Sequence, residues 1–187
     1  MRLFVAVLPP DAALAELEAA VGPLRDERLI WTAGAGWHFT LAFLGEVGEE
    51  LLPELRARLE RAAHRTAPFT LRVHGSGQFG ENVLWAGAAG ELPALRMLAE
   101  RTDAAARRAG VPLERHRRYT PHLTLARGRH GGPPLGPYRD ALAGFEGAPW
   151  RAETLSLVRS HLPADGVPGA RPRYETVGAW PLAGRTA

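Results

Sequence analysis

The run His38-Phe39-Thr40-Leu41-Ala42-Phe43 recurs as His122-Leu123-Thr124-Leu125-Ala126-Arg127. Each copy alternates as a half-buried β-strand does, so the fold must house two similar strands in similar settings. Side chains alternate across a strand, which predicts His38, Thr40 and Ala42 on one face and Phe39, Leu41 and Phe43 on the other. The same parity joins His122, Thr124 and Ala126, with Leu123 and Leu125 behind. The apolar back anchors each strand in a core. The front keeps an imidazole, a hydroxyl and a small residue. A histidine and a threonine two positions apart lie about 6.5–7 Å apart along the backbone, so both can reach one small anion. One such run carries little information in a chain of this length, whereas two in matching contexts are hard to reach by chance.

The 187 residues are expected to form one domain, 1–187, made of two lobes. A short apolar run from Arg2 to Leu8 ends at Pro9-Pro10 and reads as a buried strand. Helices are predicted from about Asp11, around Leu51–Ala63 and from about Leu92 to Ala109, where Gly110 and Pro112 stop the last one. Phe69–Val73 and Val83–Ala86 read as strands joined by the glycine-rich segment Gly75–Gly80. A short helix near Tyr138–Ala143 and closing strands near Thr154–Leu162 and Tyr174–Trp180 complete the pattern. Strand–helix–strand units in both halves suggest an internal duplication. The fold class is therefore α+β: two pseudo-symmetric lobes with mostly antiparallel sheets and outer helices, the two motif strands facing a central groove.

Composition narrows the chemistry. There is no cysteine, which removes disulfides, thiolate nucleophiles and zinc–cysteine sites. No run of about 18 apolar residues exists, and the N-terminal apolar stretch is too short for a signal-peptide core, so the expectation is a cytoplasmic protein with no membrane partner. All 23 of the basic side chains are arginine. A GC-rich coding bias accounts for that choice, along with the load of Ala, Gly and Pro; an anionic partner is the functional reading, because the planar guanidinium fork suits phosphate. Arg107, Arg108, Arg115, Arg117 and Arg118 cluster before the second motif and predict a positive approach to it. A zinc site on His38 and His122 would lack a carboxylate at a helpful offset, so no metal or other cofactor is expected. His64, His74, His130 and His161 have no hydroxyl partner and read as surface or structural; His116, inside the arginine cluster, stays open. Phe4, Trp37, Phe79 and Tyr119 are the aromatic residues that could stack on a base.

The paired H-x-T-L runs resemble those of the 2H phosphoesterase superfamily, and within it the bacterial and archaeal RNA 2′,3′-cyclic phosphodiesterases, historically called 2′-5′ RNA ligases. The resemblance takes in Arg2-Leu3-Phe4-Val5-Ala6-Val7, both motifs with their flanks, Val83-Leu84-Trp85 and Leu157-Val158-Arg159-Ser160. It implies metal-independent hydrolysis of RNA 2′,3′-cyclic phosphate ends, tRNA fragments among them, to 2′-phosphate ends. It further implies His122 as proton acceptor, His38 as proton donor, and Thr40 and Thr124 on the non-bridging oxygens. Arg127 would bind the phosphate, with Phe4 and Tyr119 beside the substrate. Sequence alone does not say which histidine is acid and which is base. Two transfers at one phosphate suit a neutral and a protonated imidazole on opposite sides. ATP-independent 2′-5′ ligation uses the same two transfers and stays open, as does a non-catalytic module that binds RNA ends. A monomer is the default. One detail opposes the strand parity: Arg127 stands five residues after His122 and should face away from it. A bend at the strand end, helped by Gly128, is the expected remedy.

Overall fold

The computed structural model describes residues 1–114, 118–163 and 170–185. Arg115, Arg117 and His116, singled out above, lie outside the described residues.

In chain order the elements are β1 (Arg2–Val7), α1 (Asp11–Val21), β2 (Leu29–Trp31), β3 (Phe39–Glu46), α2 (Leu52–His64), β4 (Phe69–Phe79) and β5 (Val83–Gly90). They continue with α3 (Leu92–Arg108), β6 (Leu123–Gly128), α4 (Gly136–Leu142), β7 (Trp150–Ala152), β8 (Thr154–His161) and β9 (Arg173–Pro181). The strands form two sheets of order β3-β1-β8-β9 and β2-β6-β5-β4-β7, with every pairing antiparallel. The fold is α+β, as the pattern of alternation predicts. Each sheet nonetheless draws strands from both halves of the chain: β8 and β9 cross back to complete the first sheet, and β2 caps the second.

Both sheets lay one face on a shared core. Leu3, Val5, Val7, Leu155 and Leu157 of the first sheet pack with Leu71, Leu84, Leu123 and Leu125 of the second. Leu55 and Leu59 of α2 and Leu95 and Leu98 of α3 join the same core. The opposite face of the first sheet carries a small separate cluster of Phe4, Ala6 and Val158, with Tyr174 against it. The first sheet therefore has a helix side and a bare side, and His38 stands on the bare side, stacked on Phe4.

The glycine-rich segment is not a linker. β4 runs on through it to Phe79 and pairs with β5 from Leu71 to Phe79, apart from a register shift at Gly75, whose φ is +66°. The turn is confined to the residues around Gly80, also at positive φ. Glycine is a weak strand former in general, but here pairing with β5 outweighs that cost and the absence of side chains has a use.

Candidate active site

β1 and β3 pair with Ala6 opposite Thr40 and Val5 opposite Ala42, so Leu41 is an extra residue in the ladder. β5 and β6 repeat the arrangement: Trp85 is opposite Thr124 and Leu84 opposite Ala126, so Leu125 is the extra one. The peptide at Leu125 is still held, because the Thr32 N–H donates to its carbonyl at 2.8 Å. Each bulge adds one residue and resets the alternation beyond it. Leu41 and Ala42 are both buried, and so are Leu125 and Ala126. Strict alternation put Ala42 and Ala126 beside the threonines, and that expectation is wrong for this reason. The same bulges return Phe43 and Arg127 to the face of the histidine and threonine. A bulge within the strand, rather than a bend at Gly128, is what brings Arg127 to the side of His122.

His38 directly precedes β3, held by Trp37, which is buried in the main core with 2% of its surface exposed. The His38 ring stacks on Phe4 at 4.4 Å between centroids and meets the edge of Tyr174 at 5.3 Å. Tyr174 in turn lies against Gly36, where a Cβ would come within 3.1 Å of its ring. Burial between these rings, with the charge of nearby His122, lowers the His38 pKa to about 4. Its cation is thus disfavoured unless an anion arrives.

His122 directly precedes β6. Its Nδ1 donates to the Thr120 carbonyl at 2.7 Å, since a carbonyl can only accept. That fixes the neutral tautomer with the lone pair on Nε2. Phe79 meets the ring edge-on at 4.8 Å and Trp85 lies 6.2 Å away. Burial lowers the His122 pKa; the Thr120 carbonyl acts the other way, and the Arg127 charge lowers it further. The Arg127 charge also reaches Tyr174, and that of His122 reaches His38, so the two half-sites share one electrostatic environment. Among the described residues, neither the Thr40 nor the Thr124 hydroxyl is engaged in a hydrogen bond.

The remaining candidates separate. Phe4 is 3% exposed and is covered by His38, so it is a wall for that ring and has no free face for a base. Trp37 is core. Tyr119 packs against the main core, and its hydroxyl is buried without a partner among the described residues. Phe43 and Phe79 are the aromatics with open faces, at 68% and 39% exposed. His161 pairs with Glu175 at 2.7 Å, while His64, His74 and His130 are exposed. Arg107 is held by Asp103 and by the carbonyls of Leu113 and Glu114. Trp85 and Tyr174, which the sequence did not single out, complete the walls around the two histidines.

Two outcomes follow from this packing. A Cβ at Gly77 would fall inside the indole of Trp85. Gly77→Ala should therefore displace that ring, loosen the wall beside His122, change the near-ultraviolet circular dichroism and lower kcat/KM by about ten- to a hundredfold. Unchanged spectra with full activity would mean the indole does not support the histidine. The second concerns acid stability. His38 is 6.5 in the reference state and about 4 in the fold, so between those values the unfolded chain binds more protons. Its contribution is complete above about pH 6.5 and is lost as pH falls toward about 4, by at most about 3 kcal/mol. Urea unfolding of His38→Gln should show a shallower loss of stability across that window than the parent protein; parallel losses would contradict it.

The family model for the 2′-5′ RNA ligase superfamily matches residues 5–163, and the chain belongs to that family, whose members are 2H phosphoesterases. It is 36% identical over 185 residues to the RNA 2′,3′-cyclic phosphodiesterase of Thermus thermophilus, covering 89% of this chain and 85% of that one. A Geobacillus stearothermophilus protein of the same name is 32% identical over 160 residues, 82% of this chain, and the match spans only 48% of that longer protein. The crystal structure of Escherichia coli LigT in apo form is similar with a TM-score of 0.77 at 26% identity, covering 96% of each chain. LigT has also been crystallised with 3′-AMP and with phosphate.

Proposed function

We propose that the two half-sites form one metal-independent centre that hydrolyses RNA 2′,3′-cyclic phosphate ends to 2′-phosphate ends. The protein is an RNA 2′,3′-cyclic phosphodiesterase, the activity in the names of its relatives. The observation that carries the mechanism is the unequal pair. His122 has Nδ1–H bound to Thr120 and Nε2 left as an acceptor; among the described residues His38 has no such fixed donor contact, and it is sensitive to the charge beside it.

In this reading His122 Nε2 takes a proton from water as its oxygen attacks phosphorus. The P–O3′ bond breaks, and His38 gives its proton to the departing 3′ oxygen, leaving phosphate on O2′. Thr40 and Thr124 donate to the non-bridging oxygens, and Arg127 offsets their growing charge. The bound phosphate is itself an anion, and it raises the His38 pKa toward the range where a proton is available. Phe4 acts through His38 by holding its ring, and Tyr119 helps to set the segment that leads to Thr120 and His122. In this reading the substrates include ends such as those of tRNA fragments, and the protein acts on them in the cytoplasm as a monomer.

The test is to incubate a short oligonucleotide ending in 2′,3′-cyclic phosphate with the protein and excess chelator, and to identify the product by phosphorus NMR. A 2′-phosphate end is expected. No hydrolysis, or a 3′-phosphate end, would overturn the assignment. Ligation to a 5′-hydroxyl strand, which needs the same proton transfers, is read in parallel at high RNA concentration.

A further inference from the structure

A second cationic site lies on the far side of the molecule. Helices α2 and α3 pack together on the helix side of the first sheet, with Leu55, Leu59, Leu95 and Leu98 turned into the core. On their outward side is a hollow of about 150 Å³ lined by Arg58, Arg61, Arg65, Arg101 and Arg108, with Ala62, Ala104 and Ala105 as its floor. Among the described residues, no carboxylate lines it. None of these residues belongs to the half-sites around His38 and His122, and Phe4 with His38 lies on the opposite face of the first sheet.

The arginines are arranged in a way that packing alone does not require. Like charges three and four residues apart on a helix repel, and Arg58, Arg61 and Arg65 form such a row. Arg58 is paired with Glu54 at 2.6 Å. Arg101 donates to the Arg65 carbonyl and to the Thr66 hydroxyl, both at 2.8 Å, which fastens α3 to the end of α2. The Arg61 Nε donates to the Ala57 carbonyl at 3.2 Å. Among the described residues, the guanidiniums of Arg65 and Arg108 have no carboxylate partner. A cation near a helix C-terminus is favoured by the helix dipole. That would account for Arg61, Arg65 and Arg108 one at a time, each on its own carbonyls, but not for their convergence on one hollow floored by alanines.

We propose that this hollow is an exosite for the phosphodiester backbone of RNA, holding part of a long substrate remote from the reacting end. The proposal rests on RNA being the substrate. Guanidinium forks match phosphate oxygens in pairs, the alanine floor lets a phosphate approach, and recognition of this kind is independent of sequence.

The experiment uses the variant Arg61→Ala/Arg65→Ala/Arg108→Ala, which leaves the Glu54 and Thr66 contacts in place. Fluorescence anisotropy measures binding of a 20-nucleotide RNA ending in a plain 3′-hydroxyl, across a series of salt concentrations. Hydrolysis of a 2′,3′-cyclic mononucleotide, too short to reach the hollow, reports whether groove and fold survive. Loss of three phosphate contacts should reduce the slope of log Kd against log salt by about 2 and weaken binding at least about tenfold, with mononucleotide hydrolysis unchanged. Unchanged RNA affinity and slope would overturn the exosite and leave the proposed activity standing. Parallel loss of both readouts would mean the arginines are structural, which also overturns it. Inorganic phosphate and a DNA of the same length form two further arms. DNA binding with the same slope supports a backbone site. Phosphate binding lost in the variant, with RNA binding kept, marks a free-anion site and overturns the RNA assignment. If the parent protein binds RNA through the hollow but hydrolyses no cyclic end, the catalytic reading fails, and with it the exosite role, while the hollow stands as an RNA-backbone contact.

Discussion

Substituting His122 with alanine is expected to lower kcat on a 2′,3′-cyclic mononucleotide by about 10²–10⁴-fold, the usual contribution of a positioned general base. His38→Ala should cost a similar amount as loss of the acid. The double variant should be little worse than the poorer single one, because two groups that serve one transition state are not additive. Both variants should keep the parent circular dichroism, since neither ring is part of the main core. The pH profile carries the finer test. In the proposed mechanism His122 must be neutral to accept a proton, so activity should fall as pH drops through its pKa. In the same mechanism His38 must be charged to donate, so activity should fall as pH rises through its own. In the free protein His38 stands at about 4 and His122 is also lowered, which places the kcat/KM maximum on the acid side of neutrality. The bound phosphate raises both, so the kcat maximum should lie at higher pH. Because the two rings interact, the limbs of the bell belong to the pair; the single variants assign them, each removing one limb. A profile that stays bell-shaped in both variants would show that other groups carry the protons.

How much of this site could be read in advance depends on how local its causes are. His38 with Thr40, and His122 with Thr124, are two apart on strands with greasy backs, and period-2 alternation places them correctly. Thr-Leu-Ala-Arg read by the same rule sends Ala126 outward and Arg127 inward, and both are reversed. Nothing in that tetrapeptide distinguishes a bulge from plain alternation, because alanine is as acceptable buried as exposed. The extra residue becomes visible only when β5 is set beside β6. Gly75–Gly80 misled for a related reason: local propensity says linker, whereas Gly77 is needed where the indole of Trp85 crosses β4. Trp85 and Tyr174 are isolated aromatics in their own segments, and only pairing over long sequence separation brings them beside the histidines. The exchange of β8 and β9 into the first sheet is of the same kind. The doubled motif revealed two equivalent strands, but not which later strands would flank them.

Arg127→Ala is the other substitution with a large expected effect, a fall of about 10²–10³-fold in kcat/KM, as for removal of one donor aimed at developing charge. Arg127→Lys should recover only part of it, because a point charge lacks the planar fork that meets two phosphate oxygens. The comparison that gives this weight is Phe43→Ala. The two strands share their register, their bulge and their His-x-Thr spacing, so Phe43 and Arg127 occupy matching positions on the two sides of the groove. If the position mattered only for packing, both substitutions would have similar modest effects. If the site is one asymmetric phosphate centre, Arg127→Ala should act mainly on kcat, where charge builds up. Phe43→Ala, removing an exposed apolar face, should act on KM by no more than about tenfold and only for substrates with a base to cover it. Steady-state kinetics on a cyclic mononucleotide and on the cyclic phosphate of ribose without a base separate the two. Equal losses in the two variants, or a loss at Arg127 confined to KM, would remove the phosphate role from Arg127. In that event the bulge at Leu125 would have to be explained by strand pairing alone, and the matching bulge at Leu41 is what such an explanation would then need to cover.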